Sequence, residues 1–185
     1  HKEEIRQYYR SFLCIRQLRI PTIAAVNGYA IGAGACLSLA CDIRIASDKA
    51  KFGFTFAKIG MHPGMAATYL LPRVVGTAKA YELLTTGDII DAAEAYRIGM
   101  VTKVVKGEEL IPAARDMAGK ISSISLVAMK MLKESIYLNF EEPSIEVALD
   151  REAAMQALTF TTGDIREGIA TAIEKRKAKY SDNIP

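Results

Sequence analysis

The order of hydrophobic patterns predicts a chain that is α/β first and all-helical after about residue 106. Three observations carry this reading. Ile23-Ala24-Ala25-Val26 is an apolar run too short and too β-branched for the core of a helix. A glycine-rich stretch, Gly32-Ala33-Gly34, then opens a helix that must be short, because Asp42-Ile43-Arg44-Ile45 already alternates like a strand. Beyond residue 106 helical periodicity dominates, and Glu141-Glu142-Pro143 makes the clearest break.

The elements follow in order. Residues 3 to 18 read as an amphipathic helix, with Ile5, Tyr8, Tyr9, Phe12 and Leu13 spaced for one face and Pro21 as its stop. Ile23 to Val26 is expected to be a strand buried on both sides, with a turn at Asn27-Gly28. After the short helix, Asp42 to Ile45 and Lys51 to Phe54 are two further strands. Residues 77 to 86 form a helix closed by Gly87. Asp91-Ala92-Ala93-Glu94 is a capping box, and Gly99 fits the position just past that helix. Val101 to Val105 is a short strand. Helices span 108 to 121 and 126 to 138, the second opened by Ser125, and a long one starts at about Ser144. Asp164-Ile165-Arg166-Glu167 reads as a second capping box, starting a last helix with Ile165, Ile169, Ala172 and Ile173 on one face.

Composition bounds the function. The chain has 185 residues, 50% hydrophobic and 24% charged, which is ordinary for a globular domain with one sizeable core. A net charge of +3, with no basic cluster interleaved with aromatics, does not point to nucleic acid. No run of roughly 18 apolar residues suggests a membrane span, and the charged N-terminus lacks a signal-peptide core. Cys14, Cys36 and Cys41 form no Cys-x-x-Cys pair, which fits the cytoplasm or another reducing compartment. His1 and His62 are too far apart in sequence to suggest a metal site.

Residues 21 to 65 carry the most chemistry. A strand runs into a glycine-rich turn that opens a helix, and N–H groups at such a helix start have no intrahelical partner. The run Pro21 to Ser47, then Ala50-Lys51-Phe52-Gly53 and Gly60-Met61-His62-Pro63-Gly64, closely resembles the crotonase family, also called the enoyl-CoA hydratase/isomerase family. The resemblance continues in order through Leu71 to Gly76, Ala78 to Gly87, Ala92 to Val101, and Glu167-Gly168 followed by Glu174 to Lys177. It implies a crotonase-like spiral of ββα units over residues 1–106, an incomplete copy of the family domain, and a helical trimerisation region over 107–185. It also implies that a leading segment precedes His1 and carries the first oxyanion N–H in an Ala-Gly-Ala-Asp-like loop.

Within this resemblance Ala33 would supply the other oxyanion N–H, with Gly34 beside it. The plain alternative is a helix start where small residues allow close packing. A dinucleotide site is a third reading, but Gly32-x-Gly34 lacks its last glycine, Leu37 standing there. Cys36 and Phe56 stand where the family's hydratases hold their two catalytic glutamates. Cys36 is otherwise a small buried residue with no base near it in sequence, and Phe56 a wall that transfers no proton. His62 lies in the loop the family places beside the acyl pocket and could serve as a general base, or equally cap a helix or bond a carbonyl. Lys58 and Tyr69 are weaker polar candidates, and Gly60 and Gly64 shape the pocket. Lys175, with Arg176, Lys177 and Lys179, could contact CoA phosphates or simply solvate a helix end.

The resemblance therefore implies an acyl-CoA lyase or isomerase of the kind that serves fatty acid metabolism. It would use no cofactor beyond the CoA of its substrate and would assemble as a homotrimer or dimer of trimers. Two rivals differ in class: a non-catalytic acyl-CoA-binding or partner subunit of the same fold, and a nicotinamide-dependent oxidoreductase.

Overall fold

The computed structural model describes residues 1–181. They divide into two compact units, one of residues 1–18 and 22–116, the other of residues 19–21 and the chain from 117 on.

The first unit opens with helix α1 (Lys2–Leu13), which passes into a 3-10 turn at Cys14–Gln17 well before Pro21. Six short strands follow: β1 (Ile23–Val26), β2 (Tyr29–Ile31), β3 (Ile43–Ser47), β4 (Lys51–Gly53), β5 (Ile89–Asp91) and β6 (Lys103–Val105). Between them lie α2 (Ala33–Ala40), α3 (Ala67–Val75), α4 (Thr77–Thr86) and α5 (Ala92–Arg97). One sheet runs β1-β3-β6, all parallel; the other runs β2-β4-β5, with β5 antiparallel.

These pairings expose a repeat. The chain passes through β1, β2 and α2, then through β3, β4 and α3. Each second-round strand lies parallel beside its first-round counterpart, Ile23 opposite Ile43 and Tyr29 opposite Lys51. This is the crotonase-like ββα spiral. The start of each round is stapled: Asp42 Oδ2 accepts from Thr22 N at 2.6 Å and from Thr22 Oγ1 at 2.8 Å.

The doubly buried strand is β3, not β1. Arg44, Ile45, Ala46 and Ser47 are buried, whereas β1 is an edge strand and half-buried throughout. Phe52, Phe54, Ile45, Leu71 and Met100 fill the core. Each such side chain contributes about 1.5–3 kcal/mol by leaving water.

Arg44 is the exception in that core. Its Nε donates to Met100 O at 2.6 Å and its Nη1 to Cys41 O at 2.7 Å and Ser38 O at 3.5 Å. Ser38 and Cys41 lie at the C-terminal end of α2, where partial negative charge favours a cation. Arg44 O also accepts from Thr102 N and Oγ1. One buried guanidinium thus ties the end of α2 to β3 and to the segment leading into β6.

The division between the units falls inside α6 (Leu110–Ser122), and α7 (Leu126–Asn139), α8 (Ile145–Phe160) and α9 (Gly163–Glu174) follow. Ser125 caps α7 as expected, its Oγ accepting from Ala128 N. The second capping box does not form. The N-cap of α9 is Thr162, and Asp164 lies buried in the first turn, accepting from Ser125 Oγ at 2.6 Å and Ser181 N at 3.0 Å. The carboxylate thereby joins the start of α7 to the tail. Buried Lys133 donates to Ile20 O at 2.9 Å, which docks the short segment 19–21 onto α7.

Replacing Arg44 with Met should lower the unfolding free energy by about 2–4 kcal/mol, because the carbonyls it serves lose a charged donor while remaining buried. Lys in its place should recover only part, since one ammonium cannot span the forked geometry. Urea denaturation of the three proteins checks this, and a Met variant as stable as the parent would contradict it.

Candidate active site

The start of α2 is built by one residue. Gly32 takes φ +55° and ψ −113°, a backbone that a side chain would strain. Its N–H donates to Gly53 O on β4 at 2.8 Å, and its carbonyl accepts from Cys36 N at 3.0 Å. No side chain caps the helix. The N–H groups of Ala33 and Gly34 therefore leave the first turn with no acceptor in the helix, and both residues are exposed. The Phe56 ring stands beside this turn: a Cβ on Gly32 would meet its Cζ at 3.7 Å.

One turn along α2, Cys36 is fully buried. Burial pushes its thiol up to about 12, so it stays protonated near neutral pH. Its Sγ donates weakly to Gly64 O at 3.7 Å. Gly64 in turn faces Tyr9 of α1. A Cβ there would come within 2.8 Å of Tyr9 Cζ and closer still to the phenol oxygen. Gly64 is thus small because Tyr9 needs the space. The next two residues, Met65 and Ala66, hold φ of +49° and +58°, a left-handed pair that costs of order 1–3 kcal/mol per residue. Hydrogen bonds from Ala67 N to Gly64 O and from Leu70 N to Ala66 O hold this loop in place.

The structure therefore brings Ala33, Gly34, Cys36, Phe56 and Gly64 into one region and adds Tyr9. Sequence reasoning had placed Tyr9 only on an apolar helix face; the signal was a hydroxyl lying on that apolar stripe. His62 is exposed and makes no side-chain hydrogen bond with the described residues. Gly60 provides a left-handed turn, φ +73°, that ends a 3-10 segment. Lys58 is engaged with Asp88 at 3.3 Å, and the Tyr69 ring carries Arg73 stacked at 3.6 Å. No group of three or more metal-ligating side chains occurs among the described residues.

Lys175 belongs to the second unit. It ends α9 with φ +52° and is exposed, and its side chain makes no ion pair with the described residues. Its neighbour Arg176 is committed instead to Glu167, donating at 2.7 and 2.9 Å. That guanidinium, with Lys179 N donating beside it, holds the Glu167 carboxyl down at about 2.

Comparisons with known proteins agree with this architecture. The family model described as enoyl-CoA hydratase/isomerase matches residues 2–183. Crotonyl-CoA hydratase of Syntrophomonas wolfei is 43% identical over 169 residues, covering 91% of this chain and 65% of the relative. Short-chain-enoyl-CoA hydratase of Clostridium acetobutylicum is 41% identical, covering 93% and 66%. The crystal structure of enoyl-CoA hydratase from Bacillus anthracis superposes with a TM-score of 0.93 at 35% identity, covering 99% of this chain and 72% of that one. The chain thus spans about two-thirds of the length of the curated relatives it matches. It belongs to the enoyl-CoA hydratase/isomerase family.

Proposed function

We propose that this chain binds an acyl-CoA thioester and that Ala33 N–H, at the start of α2, holds the thioester oxygen as enolate charge develops. The observation that carries this is the uncapped first turn of α2, exposed and oriented by a glycine no other residue replaces without strain. A fixed N–H of this kind needs no reorganisation as charge appears, and such a donor is typically worth about 3 kcal/mol of barrier.

Proton transfer is the weaker half of the site. Cys36 and Phe56 stand where the resemblance puts the two glutamates of hydratases. The Cys36 thiol is pushed too high to act as a base, and Phe56 has no proton to give. We infer a lyase or isomerase that forms an enolate but hydrates crotonyl-CoA poorly. The inert thiol also favours a second reading, a subunit that binds acyl-CoA without turnover.

We also infer that exposed Lys175 contacts a phosphate of CoA, and that the helical region assembles trimers. Support for assembly comes from the second unit, where Phe140 and Ile173 remain 60% and 77% exposed. A groove of about 920 Å³ is lined by Met131, Leu132, Ile136, Phe140, Leu149 and Met155. So much apolar surface calls for a cover.

Three outcomes test this reading. Ala33→Pro removes the N–H while keeping a residue suited to the first helical position, so it should melt like the parent. It should lose about 10²–10³ in turnover of whichever acyl-CoA the parent converts, and a variant at full rate would remove the oxyanion assignment. Lys175→Ala should weaken CoA binding at low ionic strength, with the defect shrinking as salt rises; equal affinity at low salt would discard the contact. Light scattering at micromolar concentration should give a trimer or a dimer of trimers, and a monomer would count against the assembly.

A further inference from the structure

We propose that Glu167 is a positioning residue for phosphate recognition. By clamping the Arg176 guanidinium and the Lys179 amide, it fixes the chain turn at Lys175 and presents that lysine's ammonium to CoA. This rests on the Lys175 contact inferred above.

The turn itself is the starting point. α9 ends at Lys175 in the left-handed conformation, φ +52°, where glycine is the usual residue. A lysine keeps such a backbone only where its surroundings impose it. Arg176 N donates to Thr171 O at 3.3 Å, which turns the chain back over the helix. The Arg176 side chain then reaches Glu167, its Nη1 and Nη2 donating to the two carboxylate oxygens at 2.7 and 2.9 Å. The same carboxylate accepts from Lys179 N at 2.7 Å. Beyond it the Tyr180 hydroxyl lies by Gly168, where a Cβ would meet it at 3.3 Å, and Ser181 N donates to Asp164. The segment from Lys175 to Ser181 is therefore laid back along α9, with Glu167 gripping its first half. The clasp consumes Arg176, whose Nε also serves Glu174. It leaves Lys175 and Lys177 exposed, with no ion pair to the described residues.

Charge and positioning predict opposite signs. A carboxylate near a phosphate site repels the ligand, so a Glu167 acting only as a charge would weaken CoA binding. Neutralising it would then strengthen binding, and the released Arg176 would add a further cation. Positioning works the other way. Lys175 carries its ammonium on a flexible stem, and each phosphate it binds must order that stem. On a backbone already fixed by the clasp only the side chain remains to be ordered. On a loosened backbone the turn must be ordered as well, which lowers affinity.

The experiment is calorimetric titration with coenzyme A at low ionic strength. It compares the parent, Glu167→Gln, Arg176→Lys, Lys175→Ala and the double variant Glu167→Gln/Lys175→Ala. Glu167→Gln should bind about threefold to tenfold more weakly than the parent, although it removes a negative charge. Arg176→Lys, which keeps the charge and loses the fork, should also bind more weakly. In the Lys175→Ala background, Glu167→Gln should change affinity by less than about twofold, because the residue it positions is gone. Unchanged or tighter binding by a folded Glu167→Gln would overturn the proposal. Additive losses in the double variant, the mark of a merely structural role, would overturn it too. Should Glu167→Gln fail to fold, Arg176→Lys decides, and parental affinity there sinks the idea. If Lys175→Ala binds CoA as the parent does, the phosphate contact itself falls and this inference with it. If Lys175→Ala is weakened and Glu167→Gln is not, the contact stands and only the role of Glu167 is lost.

Discussion

The left-handed backbone of Gly32 is the constraint on which the site depends. β2 must leave its sheet and become α2 within one residue, while the sheet still claims that residue's N–H through Gly53 O. Only a positive φ meets both demands, and only glycine adopts it cheaply. Every later feature of the site follows from this turn. It sets where the first N–H groups of α2 point, and its positive φ disfavours a residue with a capping side chain. It also lets the Phe56 ring approach the backbone. The far end of the same helix is held by Arg44, whose guanidinium serves the last carbonyls. A helix of eight residues fixed at both ends has little freedom to swing.

On the function proposed above, such a site would work through oriented dipoles rather than titrating groups. Around the start of α2 stand a protonated thiol and an aromatic ring. Neither of these exchanges protons readily near neutral pH. What remains strong is the field of aligned peptide groups at a helix N-terminus, which favours negative charge. That division of labour is why the proposed function rests on enolate stabilisation rather than on addition of water.

Much of this was legible in the sequence, and the misses have physical causes. Gly87 and Gly99 marked helix ends because left-handed positions are punctuation that side chains cannot imitate. Ser125 was readable as a cap because its bond is local. By contrast, β2 and β5 are three residues each and exist through pairing with β4, which no local pattern reveals. The burial of β3 rather than β1 depends on strand order, a property of the whole sheet. Asp164 matched a capping box by spacing, yet its carboxylate was claimed by Ser125, 39 positions away. The site divides in the same way. Ala33 and Gly34 could be found from a glycine-rich turn between two strands. Tyr9 could not, since its meeting with Gly64 joins residues more than fifty positions apart.

The central claim is that the start of α2 polarises a thioester carbonyl. The most direct measurement is the carbon-13 resonance of the carbonyl in bound butyryl-CoA labelled at that carbon. Hydrogen bonding to the oxygen withdraws electron density from the carbonyl carbon. The resonance should therefore move downfield when the ligand binds the intact protein, and return to its free position when excess unlabelled butyryl-CoA displaces it. A labelled ligand that is demonstrably bound, yet keeps the carbonyl resonance of free thioester in water, would contradict the account.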